Sequence, residues 1–172
     1  MAVIDAYVDS LVAAGKKGNP GKIGPGQVFA FTNSFEVAAA DSDASIYRIA
    51  RVGANMIPVA ITIMGDDALD ITYVDVGLYL PGAGGAAVDI DCFADNLAVD
   101  TNSVDSADLA PNAMFSLPID DLGKKCWEIT AVKAAGSYTD ANHPSEFDLA
   151  ITAKSEPGAA ATIAYRVMFI QG

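Results

Sequence analysis

Few side chains in this sequence could act as nucleophiles or bases, and the histidine count limits the choice most. The 172 residues include one histidine and two cysteines. A Ser–His–Asp or Cys–His arrangement would have to use His143, which stands in an Asn-His-Pro loop signal, and a zinc site would lack ligands. Cys92 and Cys126 form no C-x-x-C pair and are too few for a disulfide framework, so we expect two buried free thiols. We therefore predict that the protein is not an enzyme and uses no cofactor.

Carboxylates are the more abundant reactive groups, and they gather in three clusters. The clusters are Asp66, Asp67 and Asp70; Asp89, Asp91 and Asp95; and Asp120 and Asp121. Alternate carboxylates can bind Ca²⁺, and paired carboxylates can hydrolyse a glycosidic bond. No cluster matches an EF-hand loop, however, and Trp127 lies in a segment with core periodicity rather than at an exposed sugar-binding position. Residues 82–85 also lack the lysine and hydroxyl of a phosphate-binding loop. We interpret the acids as solvated turns and expect no bound metal.

The acidic composition argues against several classes of partner. The chain has 22 acidic and 10 basic residues, a formal net charge of −12. Nucleic-acid binding depends on lysine and arginine neutralising phosphates, and an anionic membrane repels such a surface. The sequence shows no signal-peptide pattern and no apolar run near the roughly 20 residues of a membrane span. We therefore predict a protein made in the cytoplasm that binds no nucleic acid and no membrane.

Residues 1–26 differ from the rest, and we interpret them as an N-terminal arm. Apolar residues at helical spacing within residues 2–14 predict a short amphipathic helix, and the glycine- and proline-rich residues 15–26 are typical of a linker. Three lysines and two aspartates give the arm a net charge of +1. Because the whole chain carries −12, the body carries −13. A helix this short is marginal alone, so we expect the arm to become ordered on another protein or on a neighbouring copy. The expected contact residues are Ile4, Val8, Leu11, Val12, Lys16, Lys17 and Lys22.

Residues 27–172 show the period-two alternation of β-strands. The clearest run is residues 71–80, which Pro81 ends and a glycine-rich turn follows. Similar runs between turn signals give about eight short strands without a regular alternation of helices. Residues 45–52 alternate Ile46, Arg48 and Ala50 with Tyr47, Ile49 and Arg51, which predicts that one of the two faces is solvated. Residues 120–132 predict a short helix. The pattern indicates an all-β domain, an antiparallel β-sandwich of jelly-roll type with an extended N-terminal arm.

The order of several segments resembles a family of virion proteins. The segments are DASIYRI at 43–49, DVGLY at 75–79, VDIDCFAD at 88–95, WE at 127–128, FDLAITA at 147–153 and a closing strand at 162–170. Together they are similar to the head decoration, or cement, proteins of tailed bacteriophages, which are encoded near the major capsid protein. The resemblance covers about residues 27–171 and consists of strand and turn patterns. The arm lies outside it.

The resemblance implies a jelly-roll protein, made in the host cytoplasm, that binds the major capsid protein on the outer surface of the phage head. Binding the assembled shell preferentially would stabilise the lattice by mass action, and an acidic body suits the outside better than the DNA-packed interior. Because an uncovered sheet edge is a liability, we also expect a homodimer or homotrimer. The alternative is a carbohydrate- or Ca²⁺-binding β-sandwich module of a phage fibre or a host protein.

Overall fold

The computed structural model describes residues 3, 5–7, 27–65, 71–99 and 117–172, which form eight strands and one short α-helix. The strands are β1 (Asp5–Tyr7), β2 (Val28–Val37), β3 (Ile46–Gly53), β4 (Met56–Gly65), β5 (Tyr73–Tyr79), β6 (Ala87–Ala98), β7 (Glu146–Ala153) and β8 (Ala161–Gln171). The helix is α1 (Thr130–Gly136), and 3-10 turns lie at Ile119–Asp121 and Cys126–Glu128. Within these ranges no helix has the length and hydropathy needed to cross a membrane.

The strands form two sheets that pack as a sandwich. One sheet has the order β1-β3-β7-β5-β6 and the other the order β2-β8-β4. Every described pairing is antiparallel except that of β1 with β3. Strands β2 to β5 alternate between the sheets, and the early strands β2 and β3 pair with the late strands β8 and β7. Such long returns are typical of jelly-roll connectivity, and the prediction of an all-β sandwich is confirmed.

The core lies between the two sheets and follows the alternation seen in the sequence. On β8, the inward residues Ile163, Tyr165, Val167 and Phe169 are all buried. The Tyr165 hydroxyl donates to the Ile49 carbonyl oxygen at 2.9 Å, which joins the two sheets by a hydrogen bond. Buried aliphatic side chains of β5 and β7 complete the same cluster. The periodicity of these strands therefore predicted their inner faces correctly.

The helix predicted over residues 120–132 is only partly right. The segment contains two 3-10 turns, and α1 begins at Thr130. Gly123 has a left-handed φ of 82°, and Lys125 is extended at the start of the second turn. These two residues interrupt the helical backbone. Trp127, predicted to belong to the core, is buried, and its indole N–H donates to Asn55 Oδ1 at 3.2 Å.

The described part of the arm is a strand, whereas the apolar spacing predicted a helix. Asp5–Tyr7 pair in parallel with residues 46–48 of β3, so β3 supplies backbone partners that an isolated helix lacks. At these three residues the helix prediction is wrong, because pairing with a sheet edge outweighs a marginal local preference. The predicted contact residues lie outside the described residues; they are Ile4, Val8, Leu11, Val12, Lys16, Lys17 and Lys22.

Candidate functional site

His143 is partly buried and packs against Trp127 of the core. Its ring stacks on Trp127 with centroids 4.8 Å apart and planes 6° from parallel. Its Nδ1 lies 2.8 Å from the Pro144 carbonyl oxygen. Beside Trp127 is an open depression of about 550 Å³ whose lining includes Lys124, Glu128 and Lys133. The observed contacts of His143 therefore hold a loop against an aromatic ring.

Both cysteines are buried free thiols, as the sequence predicted. Burial raises the pKa of the Cys126 thiol to about 12 and the pKa of the Cys92 thiol well above its ordinary value. Because the thiolate is the reactive form, both side chains are kept protonated and unreactive in the folded protein.

The acidic clusters differ in their surroundings. Asp66, Asp67 and Asp70 lie outside the described residues. A hydrogen bond with Asp89 raises the pKa of the Asp91 carboxyl, and partial burial adds to the shift. Among the residues that the structure describes, no group of three or more His, Cys, Asp or Glu side chains could hold a metal ion.

Asp121 is buried, so its interpretation as a solvated turn residue is wrong, whereas its neighbour Asp120 is exposed. One Asp121 oxygen accepts from Lys124 Nζ at 2.6 Å and from the Thr130 hydroxyl at 2.7 Å. The other accepts from the Thr130 backbone N–H at 3.1 Å, at the start of α1. Burial alone would raise the pKa of Asp121, but the hydrogen bonds from Lys124 and Thr130 outweigh it and lower this pKa.

We expect Asp121→Ala to lower the free energy of unfolding by about 3 kcal/mol at pH 7, because hydrogen bonds to a buried charged group are lost. The control is Asp120→Ala, which should change the free energy of unfolding by less than about 0.5 kcal/mol.

Because the folded pKa of Asp121 is lowered, the unfolded state binds more protons, and stability falls as the pH drops below about 4. Thermal melts from pH 7 to pH 3 should show a smaller acid loss in Asp121→Ala than in wild type. Equal melting of the two variants at pH 7 would contradict this role.

Arg48 carries the largest departure from the sequence prediction. The alternation of residues 45–52 put one arginine on each face and predicted that one face is solvated, yet the Arg48 side chain is fully buried. Its Nε donates to Asp5 Oδ1 at 2.7 Å and its Nη2 to Asp5 Oδ2 at 3.0 Å, a bidentate pair. Its Nη1 donates to Asp148 Oδ2 at 3.3 Å. The described part of the arm is therefore joined to the body through this guanidinium.

A second arginine completes what we call the Arg48 cluster: Arg48, Arg51, Asp5 and Asp148. Arg51 donates to Asp148 through Nε at 2.8 Å and through Nη2 at 3.2 Å. Asp148 is fully buried, and the antiparallel register places it opposite Arg51. Asp5 supplies one of the two carboxylates of the cluster, and the Glu146 carboxylate lies at its edge, 4.0 Å from Arg51 Nε.

The glycine-rich turn after β5 folds over the Arg48 cluster. The Leu80 and Gly85 carbonyl oxygens accept from Arg48 at 3.1 and 2.9 Å. The Gly82 and Gly84 N–H groups donate to Asp148 and to Asp5, both at 3.0 Å. Both glycines have left-handed φ, at 112° and 75°, which a side chain disfavours.

Every donor of the Arg48 guanidinium therefore has an acceptor. Nε donates to one acceptor and each terminal nitrogen donates to two, which accounts for the five N–H groups. The Tyr79 ring lies 5.0 Å from the guanidinium carbon and adds a cation–π contact. This arrangement binds a carboxylate carried by a strand, and the turn over it encloses the guanidinium rather than presenting a catalytic group.

The outer face of the β2-β8-β4 sheet is the second candidate surface. Val28 and Met64 are 55% and 38% exposed there, and Val59, at an irregularity in β4, is 41% exposed. On β8 the outward residues include Ala164, Met168 and Ile170, which are partly exposed. Exposed apolar residues grouped on one sheet face are typical of protein interaction surfaces.

Solved structures with a similar fold include two from phage capsids. A chain in the structure described as the capsid of Ralstonia phage GP4 is 18% identical, with a TM-score of 0.56 over 97% of this chain and 99% of that chain. A chain in the capsid asymmetric unit of cyanophage Pam1 is 16% identical, with a TM-score of 0.50 over 90% of this chain and 92% of that chain. No family model and no curated protein matches the sequence. At these identities the likeness establishes the β-sandwich fold.

Proposed function

We propose that this protein is a structural component of a tailed-phage virion, a decoration or cement protein that binds the outside of the head and stabilises the major capsid protein lattice. The observation that carries the proposal is the likeness to a phage capsid chain over almost the whole of both chains. Because nearly all of each chain is matched, the two have nearly equal length, so the likeness is to a whole capsid component. A non-enzymatic role fits a reactive-group inventory of buried thiols and a packed histidine.

The charge supports a position on the outer surface. A body with a formal charge of −13 would be repelled by the DNA phosphates inside a filled head. The partly apolar outer face of the β2-β8-β4 sheet supports contact with other proteins. We propose the major capsid protein as the partner, together with further copies of this chain as a homodimer or homotrimer.

The test is to locate the protein in purified virions. We expect mass spectrometry to find it in heads and gold-labelled antibodies to bind intact particles. Brief protease treatment of intact heads should remove it while the major capsid protein stays in place. Detection only in the cell lysate, or protection from antibody and protease until the head is opened, would overturn the proposal.

We also propose that the arm contacts the shell through Ile4, Val8, Leu11, Val12, Lys16, Lys17 and Lys22. Deleting the arm would remove Asp5 as well, so substitution is the cleaner test. The variant Val8→Ser, Leu11→Ser, Val12→Ser keeps β1. Each buried aliphatic side chain contributes about 1.5–3 kcal/mol before ordering entropy is subtracted, so binding to empty heads should weaken at least about tenfold, or about 1.4 kcal/mol.

The matched control for the arm replaces exposed aliphatic residues of the body. Ile119 and Leu122 are 81% and 55% exposed, so Ile119→Ser, Leu122→Ser should leave head binding within about twofold. Both variants should melt close to wild type, because Asp5 and the core are intact. Sedimentation of labelled protein with empty heads measures binding. Unchanged binding of the arm variant would show that the body alone carries attachment.

A further inference from the structure

We propose that β1 is exchangeable between copies of this chain, so that Asp5 of one copy binds Arg48 of a neighbour and the copies are linked through their N-terminal strands. The proposal extends the proposed function, because a shell would hold the copies side by side. The exchange itself is a property of this chain and can be measured in solution.

The site that receives β1 belongs entirely to the body of the protein. The Asp5 carboxylate is bound by Arg48 of β3 and by the Gly84 N–H of the turn after β5. The backbone of β1 pairs with residues 46–48 at the edge of β3. We call this edge, together with Arg48 and Gly84, the β1 receptor. A second copy carries the same strand, so its β1 can make the same contacts in the same register.

The connection between β1 and the body is long enough to allow exchange. Twenty residues, 8–27, separate the end of β1 from the start of β2. Such a length can span at most about 70 Å, whereas a domain of this size has a radius of gyration near 16 Å. A neighbouring receptor at one body diameter is therefore within reach. Parallel pairing requires a long connection even within one chain, so the length does not distinguish a chain's own receptor from its neighbour's.

The charges require receptors and strands to stay paired one to one. A vacant receptor would remove one of the two carboxylates that Arg48 contacts and take an acceptor from its Nε and from its Nη2, which is unfavourable for a buried charged group. In exchange, each Asp5 leaves one Arg48 and meets an identical one, so no contact is lost. In dilute solution a chain's own strand prevails, because its effective concentration is in the millimolar range. When copies are held adjacent, a neighbour's strand reaches a comparable effective concentration.

The first experiment traps exchanged strands with full-length protein. One variant carries Val3→Cys and the other Ala44→Cys; both positions are exposed, and each lies two residues before a member of the Asp5–Ile46 pair. The two are unfolded, refolded together between about 1 μM and 1 mM, and treated with a short bismaleimide. We expect the covalent heterodimer to increase with concentration and to reach tens of per cent near 1 mM. The native Cys92 and Cys126 are buried, and wild-type protein gives the background.

The matched control adds Asp5→Ala to the Val3→Cys copy. Specific exchange predicts at least a tenfold lower heterodimer yield, whereas random collision predicts no change. A single chain carrying both cysteines reports whether the two positions come within cross-linking distance. If this chain cross-links internally and the mixture gives no more heterodimer at 1 mM than the control, the proposal is wrong.

A second measurement does not depend on cross-linking geometry. The full-length Asp5→Arg variant places like charge at its own receptor, so the receptor should be open to a synthetic peptide of residues 1–12. We expect this peptide to bind the variant and to raise its melting temperature, and the same peptide with Asp5→Ala to bind at least tenfold more weakly. Equal binding of the two peptides, or no binding of either, would overturn the exchange. These solution results leave the virion location to its own test, so either proposal can fail alone.

Discussion

Asp148→Asn is expected to lower the free energy of unfolding by about 3–5 kcal/mol, because it removes the fully buried carboxylate that Arg48 and Arg51 share. Asp148 accepts from Arg48, from Arg51 and from the Gly82 N–H. An asparagine keeps the shape but removes the charge and leaves one oxygen acceptor. For a chain of this length the melting temperature should fall by about 10 °C or more.

The control for Asp148→Asn is Asp140→Asn, at an exposed turn position, which should melt within about 1–2 °C of wild type. A second variant tests the cause. Asp148→Asn combined with Arg51→Met removes one positive charge as well, so the net charge of the cluster returns to its wild-type value and part of the lost stability should return. Urea unfolding of wild type, Asp148→Asn, Asp140→Asn, Arg51→Met and the double variant measures these differences. If the double variant is less stable than Asp148→Asn by the full cost of Arg51→Met alone, charge balance is not the reason for the effect.

Gly77→Ala is expected to be comparably damaging for a steric reason. A Cβ on Gly77 would lie 2.1 Å from the Asp89 carbonyl oxygen and 2.3 Å from the Ile90 carbonyl carbon, both of them backbone atoms of β6. The pairing of β5 with β6 moves from Leu78 opposite Asp89 to Val76 opposite Ala94, so β6 carries extra residues past Gly77. Because backbone cannot move aside as a flexible side chain does, we expect a loss of about 3 kcal/mol or more.

Gly53→Ala is the matched control for Gly77→Ala. Gly53 also lies in a strand, and a Cβ there would meet only the Met56 side chain, at 3.6 Å. This is an ordinary contact, so the control should be neutral or more stable by about 0.4–1 kcal/mol through a less flexible unfolded chain. Calorimetric melts of the two variants under one condition make the comparison. Melting temperatures within about 2 °C of each other would show that the β6 backbone can shift to accommodate a Cβ on residue 77.

The sequence predicted the inner faces of the strands well because alternation reports which residues share a side. It does not report whether the other side is covered. Arg48 lies on the side of β3 opposite the core, and alternation alone did not show whether that side is solvated. That side is covered by the turn at residues 80–86 and by Asp5, which are distant in sequence. The burial of Arg48 therefore follows from tertiary contacts that no local pattern encodes.

Part of the Arg48 cluster had a signal in the sequence. In the segment FDLAITA of β7, Asp148 is the one charged residue, and it shares its face with the small residues Ala150 and Thr152. A lone acid in such a strand requires a buried positive partner. The segment SIYRIARV supplied two arginines, and the pairing of β3 with β7 would have placed one of them opposite. The role of Asp5 had no comparable signal, because the apolar spacing around it favoured a helix.

The two buried thiols can report local opening of the folded protein through their reaction with a thiol reagent. A thiol reagent reaches Cys92 and Cys126 only when the sandwich admits it, and both sulfur atoms are kept in the unreactive protonated form until then. Cys126 precedes the helix, whereas Cys92 lies on β6. The labelling rate of each cysteine therefore measures how often its own region opens. Unequal rates would reveal which part of the molecule separates first, without any introduced probe.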